Sequence, residues 1–291
     1  MKLPMPAIQS LPCPRFKMQN FTIHCHTNAL GCFDGKNTAE EMICRAEELG
    51  FETIGISNHL IWHPNMTGSS PMFFNDWNKV LEAQLRIKDE IKEAAAKSKI
   101  KVLLGAEADF FPSAEWRNGF EKLIEKLDYD YLIATTHFIR TADEKLMCNI
   151  YHLHELPSDL TPEDFKEMVR QHWLNIVASI ESGYYNFLAH ADYCICKIPD
   201  IPEFDEYRWQ IIEALDKHKF PFEINTKGFD MIGSQHPTTW MVKELCKRKV
   251  PALLSDDSHH TSQIGRYFDR AEALLKECGC STRWKPDFLN K

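Results

Sequence analysis

The clearest pattern in this chain is a series of short apolar runs that each end on a polar residue able to bind a metal ion or lie beside one. Seven such runs occur, and charged segments with helical spacing separate them. In a parallel β/α barrel the carboxyl ends of all strands meet on one face, where the site residues gather. The pattern therefore predicts an α/β fold, a seven-stranded parallel barrel with its site at that face. The runs end on His24 and His26, His59, Glu107, His137, His190, Asn225, and Asp257 with His259.

The segments between the runs predict helices and two long loops. Residues Thr38–Glu41 form a capping-box pattern, and Asp76–Lys97 is rich in Ala, Glu and Lys, as a surface helix is. Two connections, 60–75 and 138–163, exceed the ~2–6 residues typical of α/β proteins. Both follow the carboxyl end of a strand, so we expect them on the active face, where they would select the substrate.

Composition narrows the class of protein. The 291 residues are 44% hydrophobic and carry a formal net charge of −8. The apolar runs are shorter than the ~20 residues that cross a bilayer, and no basic cluster occurs, so we expect neither a membrane nor a nucleic acid as partner. The proline-broken segment 1–19 lacks the apolar region of a secretory signal. We expect it to be an extension of a single domain over 1–291.

The cysteines support an intracellular location. Ten of them are scattered along a long chain without a recognisable secretory signal, which favours reduced thiols over a disulfide framework. We therefore expect a cytoplasmic protein. Its oligomeric state is left open by the sequence.

The position of a His-x-His pair decides how it is interpreted. His24 and His26 are two residues apart on a predicted strand, so their side chains point to the same face. His152 and His154 have the same spacing but no apolar run before them, so we expect a solvated loop. The first pair is therefore a candidate ligand pair, and the second is not.

The strand-end residues together predict a metal centre. They comprise six histidines and two carboxylates, a donor set that suits zinc, iron or manganese rather than calcium. Eight ligands exceed what one tetrahedral ion can use, so we expect two or three divalent ions. The candidate ligands are His24, His26, His59, Glu107, His137, His190, Asp257 and His259.

The order of these motifs resembles the polymerase and histidinol phosphatase (PHP) superfamily. The motifs are H-x-H, N-H, G-x-E, T-H, A-H, N-T and D-x-H, and the resemblance runs from about Phe21 to Gly265. The stretches Gly105–Phe110, Asp130–Phe138 and Glu223–Gly228 are similar to the histidinol-phosphate phosphatase branch. The resemblance implies a distorted, TIM-like PHP barrel with two or three metal ions.

The resemblance also implies an activity. It predicts a phosphomonoesterase that hydrolyses L-histidinol phosphate to L-histidinol and phosphate by metal-activated hydroxide, in histidine biosynthesis. The alternative is a PHP-type phosphoesterase that acts on another small phosphate ester or on a phosphodiester.

Individual roles follow from the same resemblance. One ion would be held by His24, His26, Glu107 and Asp257, and a second by Glu107, His137 and His190. A third ion or the reacting phosphate would be contacted by His59, Asp34 and His259. The catalytic roles fall to Asp257, His259 and His59.

The substrate would need further groups. The cationic candidates for phosphate binding are Arg140, Lys197, Lys227 and Arg266. Aromatic residues of the long loops could stack on an imidazole or pack the loops themselves. These aromatic residues are Trp62, Phe73, Phe74 and Tyr151. The sequence does not identify the acid that protonates the leaving group.

The chain departs from the family pattern at several places. Thr22 stands where an acidic residue is common, Ala189 stands where glycine is usual, and two further departures concern the ligands. Asn58 stands where an aspartate is common, which removes a carboxylate near the cluster. After the first motif the family often has a further ligand, commonly histidine. Asp34 is the first candidate for that role and Cys32 the second. The alternative for Asp34 is a loop carboxylate that precedes the next helix. A weaker third ion is the expected consequence.

Two other classes of protein compete with this interpretation. An amidohydrolase also begins with H-x-H, but it uses eight strands and usually a lysine on the fourth, where this chain has His137. A non-enzymatic metal-storing or regulatory module would have a degenerate site, and Asn58 alone favours it.

Overall fold

A computed structural model describes residues 19–29, 35–66 and 74–290 of the chain. The expected N-terminal extension, apart from Gln19, lies outside this part. The described strands are β1 (Phe21–Cys25), β2 (Thr53–Ile56), β3 (His59–Leu60), β4 (Lys101–Asp109), β5 (Tyr131–Thr135), β6 (Phe138–Arg140), β7 (Met147–Asn149), β8 (Phe187–Leu188), β9 (Phe222–Asn225) and β10 (Ala252–Ser255).

Helices connect most of these strands. The described α-helices are α1 (Ala39–Glu48), α2 (Trp77–Ala95), α3 (Ala114–Leu127), α4 (Pro162–Glu181), α5 (Phe204–His218), α6 (Gly228–Met231), α7 (Thr239–Lys247) and α8 (Phe268–Glu277). Short 3₁₀ helices span Ile150–Glu155, Tyr193–Cys196, Thr261–Gln263 and Asp287–Asn290. The predicted capping box is present, since Thr38 and Glu41 bond reciprocally at the start of α1.

Seven parallel strands form the barrel, in the order β1, β2, β4, β5, β8, β9, β10, and the short β3 pairs with β4. The two ends of this sheet meet at the carboxyl-end face. There the His26 N–H donates to the Ser258 carbonyl at 2.7 Å, and the Ser258 N–H donates to the His24 carbonyl at 3.3 Å. The barrel is therefore nearly closed, and the predicted seven-stranded parallel β/α barrel is confirmed.

The amino end of the barrel is filled by apolar side chains, which leaves the carboxyl end for the site. Tyr131 lies across the interior, donates its hydroxyl to the Ile23 carbonyl at 2.7 Å, and stacks on Phe288. Glycine is required on the two neighbouring strands, because a Cβ at Gly55 or Gly105 would lie 2.1–2.2 Å from Tyr131 atoms. The C-terminal 3₁₀ helix thus closes the end opposite the site.

The connection after β5 is more ordered than expected. The segment 138–163 was predicted as a loop, but it contains the antiparallel hairpin β6–β7, a 3₁₀ helix and the first residues of α4. Arg140 and Glu144 in this hairpin are buried. The Glu144 carboxylate contacts His63 Nε2 at 2.7 Å, which joins the hairpin to the connection after β3. No helix in the described ranges is long and apolar enough to cross a membrane.

Candidate metal centre

Glu107 lies at the centre of the carboxyl-end face, fully buried near the end of β4. Its Oε2 atom lies 3.0–3.4 Å from three imidazole nitrogens, and its Oε1 atom lies 2.9–3.5 Å from two more. Strands from around the barrel supply these rings, so the parallel topology brings them together. The five nitrogens belong to His24, His26, His59, His137 and His190.

Asp257 is the second carboxylate of the cluster. Its Oδ1 atom lies 3.8 Å from His24 Nε2 and 3.5 Å from His26 Nε2. On its other side it lies 3.4 Å from His259 Nδ1 and 3.3 Å from Lys227 Nζ. Asp257 has a backbone φ of 45°, a left-handed conformation that non-glycine residues rarely adopt and that concentrates at functional sites.

The electrostatics of the site favour the protonation state that a metal ligand needs for three residues and oppose it for two. Burial alone would raise the pKa of Glu107, but facing imidazoles, His137 foremost, hold that pKa well below its ordinary value. Burial likewise opposes ionisation of Asp257, yet Lys227 holds its pKa well below the usual range. Burial lowers the pKa of His26 well below its ordinary value. Both carboxylates are therefore anionic and His26 is neutral.

The two residues for which the electrostatics oppose that state are His24 and His137. Burial by itself would lower the pKa of both imidazoles. However, Glu223 holds the pKa of His24 well above its ordinary value, and Asp109 raises the pKa of His137 to about 9. Both imidazoles would therefore release a proton when a cation binds.

The cluster fits divalent cations. Within each of four triads, one ligand atom per residue lies within 4.8 Å of the others. The triads are His24, His26 and Glu107; His59, Glu107 and His137; His24, His190 and Asp257; and His26, His59 and His259. In the described part of the chain, His24 Nε2, His59 Nδ1 and Glu107 Oε2 are buried without a hydrogen bond. Leaving such atoms unsatisfied costs about 1–3 kcal/mol each, and bound cations would remove that cost.

Two further carboxylates hydrogen-bond candidate ligand histidines at Nδ1, the ring nitrogen that does not face Glu107. The His24 Nδ1–H donates to Glu223 at 2.8 Å, which turns Nε2 toward Glu107. In the same way the His137 Nδ1–H donates to Asp109 at 3.0 Å, and Asp109 also accepts the His137 backbone N–H at 2.6 Å. Such partners fix the tautomer and orientation of metal-binding imidazoles.

The sequence pattern placed Glu223 in the run that ends at Asn225, but it assigned neither Glu223 nor Asp109 an individual role, although a signal was available for both. Asp109 is two residues after Glu107 on β4, and Glu223 is two residues before Asn225 on β9. Side chains two apart on a strand share a face. The alternation therefore placed both carboxylates on the face that carries the ligands.

The structure brings all eight strand-end candidates into one cluster. The ninth candidate ligand, Asp34, and its competitor Cys32 lie outside the described residues. The assignment of Asp34 therefore stays a prediction, as does the division of the ligands among ions.

Asn58 is buried, and its side chain makes two hydrogen bonds to Thr27. Its Oδ1 accepts the Thr27 backbone N–H, and its Nδ2 donates to Thr27 Oγ1, both at 2.8 Å. Thr27 follows His26, and Asn58 precedes His59. The amide therefore ties together the two backbone segments that carry these ligands.

The four candidate phosphate-binding cations occupy different environments. Lys227 reaches the cluster, where its Nζ lies near Asp257 and 3.4 Å from His259 Nδ1. Arg266 donates to the Asp256 carbonyl at 2.8 Å and to Asp230 at 2.8 Å, so it braces the loop that carries Asp257.

The other two cations have partners outside the cluster. Lys197 Nζ lies 4.5 Å from the centre of the Tyr151 ring. The guanidinium of Arg140 is buried in the β6–β7 hairpin, where it donates to the Thr141 carbonyl at 3.0 Å and to Asn175 Oδ1 at 2.7 Å. These bonds give Arg140 a structural task, and its role in phosphate binding stays a prediction.

The second His-x-His pair lies in the 3₁₀ helix after β7. His152 and His154 contact Glu155 rather than the strand-end histidines, and the side chain of His154 is 78% exposed. Both are exposed, as expected, although they lie in a 3₁₀ helix rather than in an irregular loop. Neither belongs to the potential metal-binding triads found among the described residues.

Aromatic residues of the long loops lie at several depths. Trp62 and Phe74 are buried in the core, and Phe73 lies outside the described residues. Tyr151 is 40% exposed, and its hydroxyl contacts that of Tyr193. Tyr193 in turn stacks on the ligand His190, with ring centres 4.2 Å apart. An aromatic surface therefore begins at the metal cluster and reaches solvent.

Comparisons with known proteins agree with this geometry. The PHP domain model matches residues 22–227. The histidinol-phosphatase of Bacillus subtilis strain 168 is 24% identical over 281 residues, which cover 90% of this chain and all of that protein. The crystal structure of histidinol phosphate phosphatase from Lactococcus lactis, complexed with zinc, L-histidinol and phosphate, superposes with a TM-score of 0.66. That protein is 20% identical, and the match covers 93% of this chain and 98% of that one.

Proposed function

Because the chain belongs to the PHP domain family, we propose that it is a metal-dependent phosphomonoesterase that hydrolyses L-histidinol phosphate to L-histidinol and phosphate. The observation that carries the proposal is Glu107, a buried carboxylate with five imidazole nitrogens within 3.5 Å. The centre would hold two or three ions of zinc, iron or manganese. Its ligands would be His24, His26, His59, Glu107, His137, His190, Asp257 and His259, with Asp34 as a further candidate.

The chemistry of the centre suits phosphate ester hydrolysis. Divalent ions bound there would lower the pKa of water and neutralise charge on a phosphate. The chain's own contribution is positioning: Glu223 and Asp109 hold two ligand rings in one orientation. Lys227 adds a positive charge beside Asp257 and His259, where phosphate oxygens would gain a charge-assisted hydrogen bond. Asp257, His259 and His59 would contact the reacting phosphate.

The choice of substrate rests on the relatives and on the aromatic surface. A histidinol phosphatase and a histidinol phosphate phosphatase are both similar to this chain over about nine tenths of its length. Tyr193 is buried against His190, and the Tyr151 ring beside it is 40% exposed and could stack on an imidazole. Such a substrate would place the enzyme in histidine biosynthesis in the cytoplasm, with a small phosphorylated molecule as its partner.

The first experiment is phosphate release from L-histidinol phosphate by protein loaded with manganese, iron or zinc. Two reference substrates run beside it, 4-nitrophenyl phosphate as a generic monoester and bis(4-nitrophenyl) phosphate as a diester. A strong preference for L-histidinol phosphate is the expected result. Equal, slow rates on both monoesters would overturn the substrate and keep the phosphatase. A preference for the diester would favour the alternative phosphodiesterase.

A further inference from the structure

Three buried carboxylates in this protein hold a histidine in the same way. Each carboxylate accepts the Nδ1–H of an imidazole and also a backbone N–H. Glu223 accepts from the His24 ring and the His190 backbone, and Asp109 accepts from the ring and the backbone of His137. Asp192 accepts from the His236 ring and the Thr238 backbone. The first two pairs aim an Nε2 atom at Glu107. The Asp192–His236 pair has the same hydrogen-bond arrangement, but it makes no hydrogen bond to Glu107 among the described residues and has no assigned function.

Short hydrogen bonds hold the buried Asp192–His236 pair together. The His236 Nδ1–H donates to Asp192 Oδ1 at 2.7 Å, and the Thr238 N–H donates to Asp192 Oδ2 at 2.8 Å. Both side chains are 0% exposed. Within the described residues, His236 Nε2 is buried and makes no hydrogen bond. A buried imidazole with one nitrogen held and the other unsatisfied is an arrangement that needs a partner, since the unsatisfied atom costs about 1–3 kcal/mol.

His236 lies on the side of the barrel that carries the metal centre. It pairs with Asn225 at the end of β9 in an antiparallel bridge, in which the two residues exchange both backbone hydrogen bonds, at 2.8 and 3.1 Å. Side chains of residues directly opposite in such a pair lie on the same face. The Asn225 amide lies 3.3 Å from Asp257 Oδ2 and 2.7 Å from Glu223, so that face is the one with the ligands.

Tyr193 connects His236 to the ligand His190. Its ring stacks on His190 at 4.2 Å and meets the His236 ring edge-on at 5.5 Å. Its hydroxyl contacts Tyr151, which is 40% exposed. Tyr193 is itself buried, so the Tyr193 and Tyr151 rings would have to move for the alcohol part of a substrate to reach His236 Nε2.

We propose that the Asp192–His236 pair is the general acid that protonates the leaving alcohol. The proposal rests on the proposed phosphomonoesterase function. The donor is the His236 imidazolium, which carries a proton on each ring nitrogen and faces the Asp192 carboxylate. As the bond between phosphorus and the ester oxygen breaks, its electron pair passes to that oxygen, which takes the Nε2 proton and leaves a neutral imidazole. Water supplies the new oxygen on phosphorus, and a proton from that water returns the imidazole to its starting state. Asp192 acts as the positioning residue, because it holds Nδ1–H and leaves Nε2 as the atom that exchanges the proton.

The test compares leaving groups. An alkoxide such as that of L-histidinol needs a proton as it departs, whereas 4-nitrophenolate departs without one. We expect His236→Asn to lower kcat/KM for L-histidinol phosphate by about 10²–10⁴-fold and to change that for 4-nitrophenyl phosphate by less than about 5-fold. Asp192→Asn should give a smaller loss with the same dependence on the leaving group. Metal content and the unfolding temperature are measured for each variant, because a metal-binding or structural role would alter them.

The matched control is His172→Asn, since His172 is another buried histidine whose Nδ1–H donates to a single oxygen, the Phe138 carbonyl. It should affect both substrates equally. Equal losses on both substrates for His236→Asn, or no loss on either, would overturn the proposal. If that variant does not fold, Asp192→Asn carries the same comparison. If the unaltered protein hydrolyses only the aryl ester, the substrate has failed instead, and phenyl phosphate replaces L-histidinol phosphate as the ester with the poorer leaving group.

Discussion

Glu223 reaches across the mouth of the barrel to His24. The carboxylate comes from β9 and the imidazole from β1, with β10 between them, and the His24 Nδ1–H to Glu223 Oε2 distance is 2.8 Å. The other oxygen accepts the backbone N–H of His190 at 2.9 Å. The Glu223 side chain therefore sets the orientation of the His24 ring and the backbone position of His190. It connects β9 to β1, two strands that do not pair with each other.

Replacing this carboxylate should weaken metal binding without removing a ligand. For Glu223→Gln we expect a loss of about 10–100-fold in metal affinity, because His24 is no longer held in one tautomer and orientation. Competition with a chelator of known affinity measures the metal affinity of each variant. Glu144→Gln is the matched control, since Glu144 is also buried and bonded to a histidine, His63, away from the cluster. An unchanged affinity for Glu223→Gln would contradict the orienting role.

Loss of a strand-end histidine should sharply lower activity, whereas loss of a histidine from the second His-x-His pair should not. His190→Ala removes a ring that contacts Glu107 at 2.9 Å, so we expect phosphate release to fall by about 10²-fold or more while circular dichroism shows a folded protein. His154→Ala changes an exposed loop histidine and should leave the rate unchanged. Retained turnover in His190→Ala would remove that residue from the centre.

Asn58→Asp should strengthen the weakest-bound ion. The substitution adds a negative charge next to the segments of His26 and His59, while the Thr27 hydroxyl can turn to donate to the new carboxylate. We expect roughly 3- to 10-fold tighter binding, measured as metal retained during dialysis against a chelator. Asn186→Asp, at the amino end of β8, is the control. Equal retention in the two variants would show that position 58 does not influence an ion.

His172 should make stability depend on pH. Burial lowers the pKa of His172 to about 4, below the value near 6.5 of an unfolded chain. Between these values the unfolded state binds more protons, so the contribution of neutral His172 is complete above pH 6.5 and is lost as the pH falls toward 4. We expect a loss of about 2 kcal/mol between pH 7 and pH 5, measured by urea unfolding. His172→Asn should be less stable at pH 7 and should lose about 2 kcal/mol less over the same interval. If the unfolding free energies of the unaltered protein and of His172→Asn fell in parallel with pH, the predicted role of His172 would be contradicted.

The strand-end pattern was enough to predict the barrel and the ligand cluster, because both depend on local rules. Buried parallel strands are apolar runs, and their carboxyl ends share a face, so His24 and His190 could be placed together although they are far apart in sequence. The same rule separated the first His-x-His pair from His152 and His154. It worked because each candidate ligand lies near the carboxyl end of a strand, either among its last three residues or at most four residues after it.

Only the tertiary structure decided which polar residues support those ligands. Glu223 and Asp109 support candidate ligands, and Asp192 holds His236, through contacts across the barrel or over a loop. No local period predicts which histidine a carboxylate will meet. Arg140 followed a strand as the ligands do, yet the β6–β7 hairpin buried it against Asn175. Sequence by itself therefore determined the architecture and the donor set. The packing of loops over strand ends, which joins residues far apart in sequence, decided their partners and left His236 facing the site.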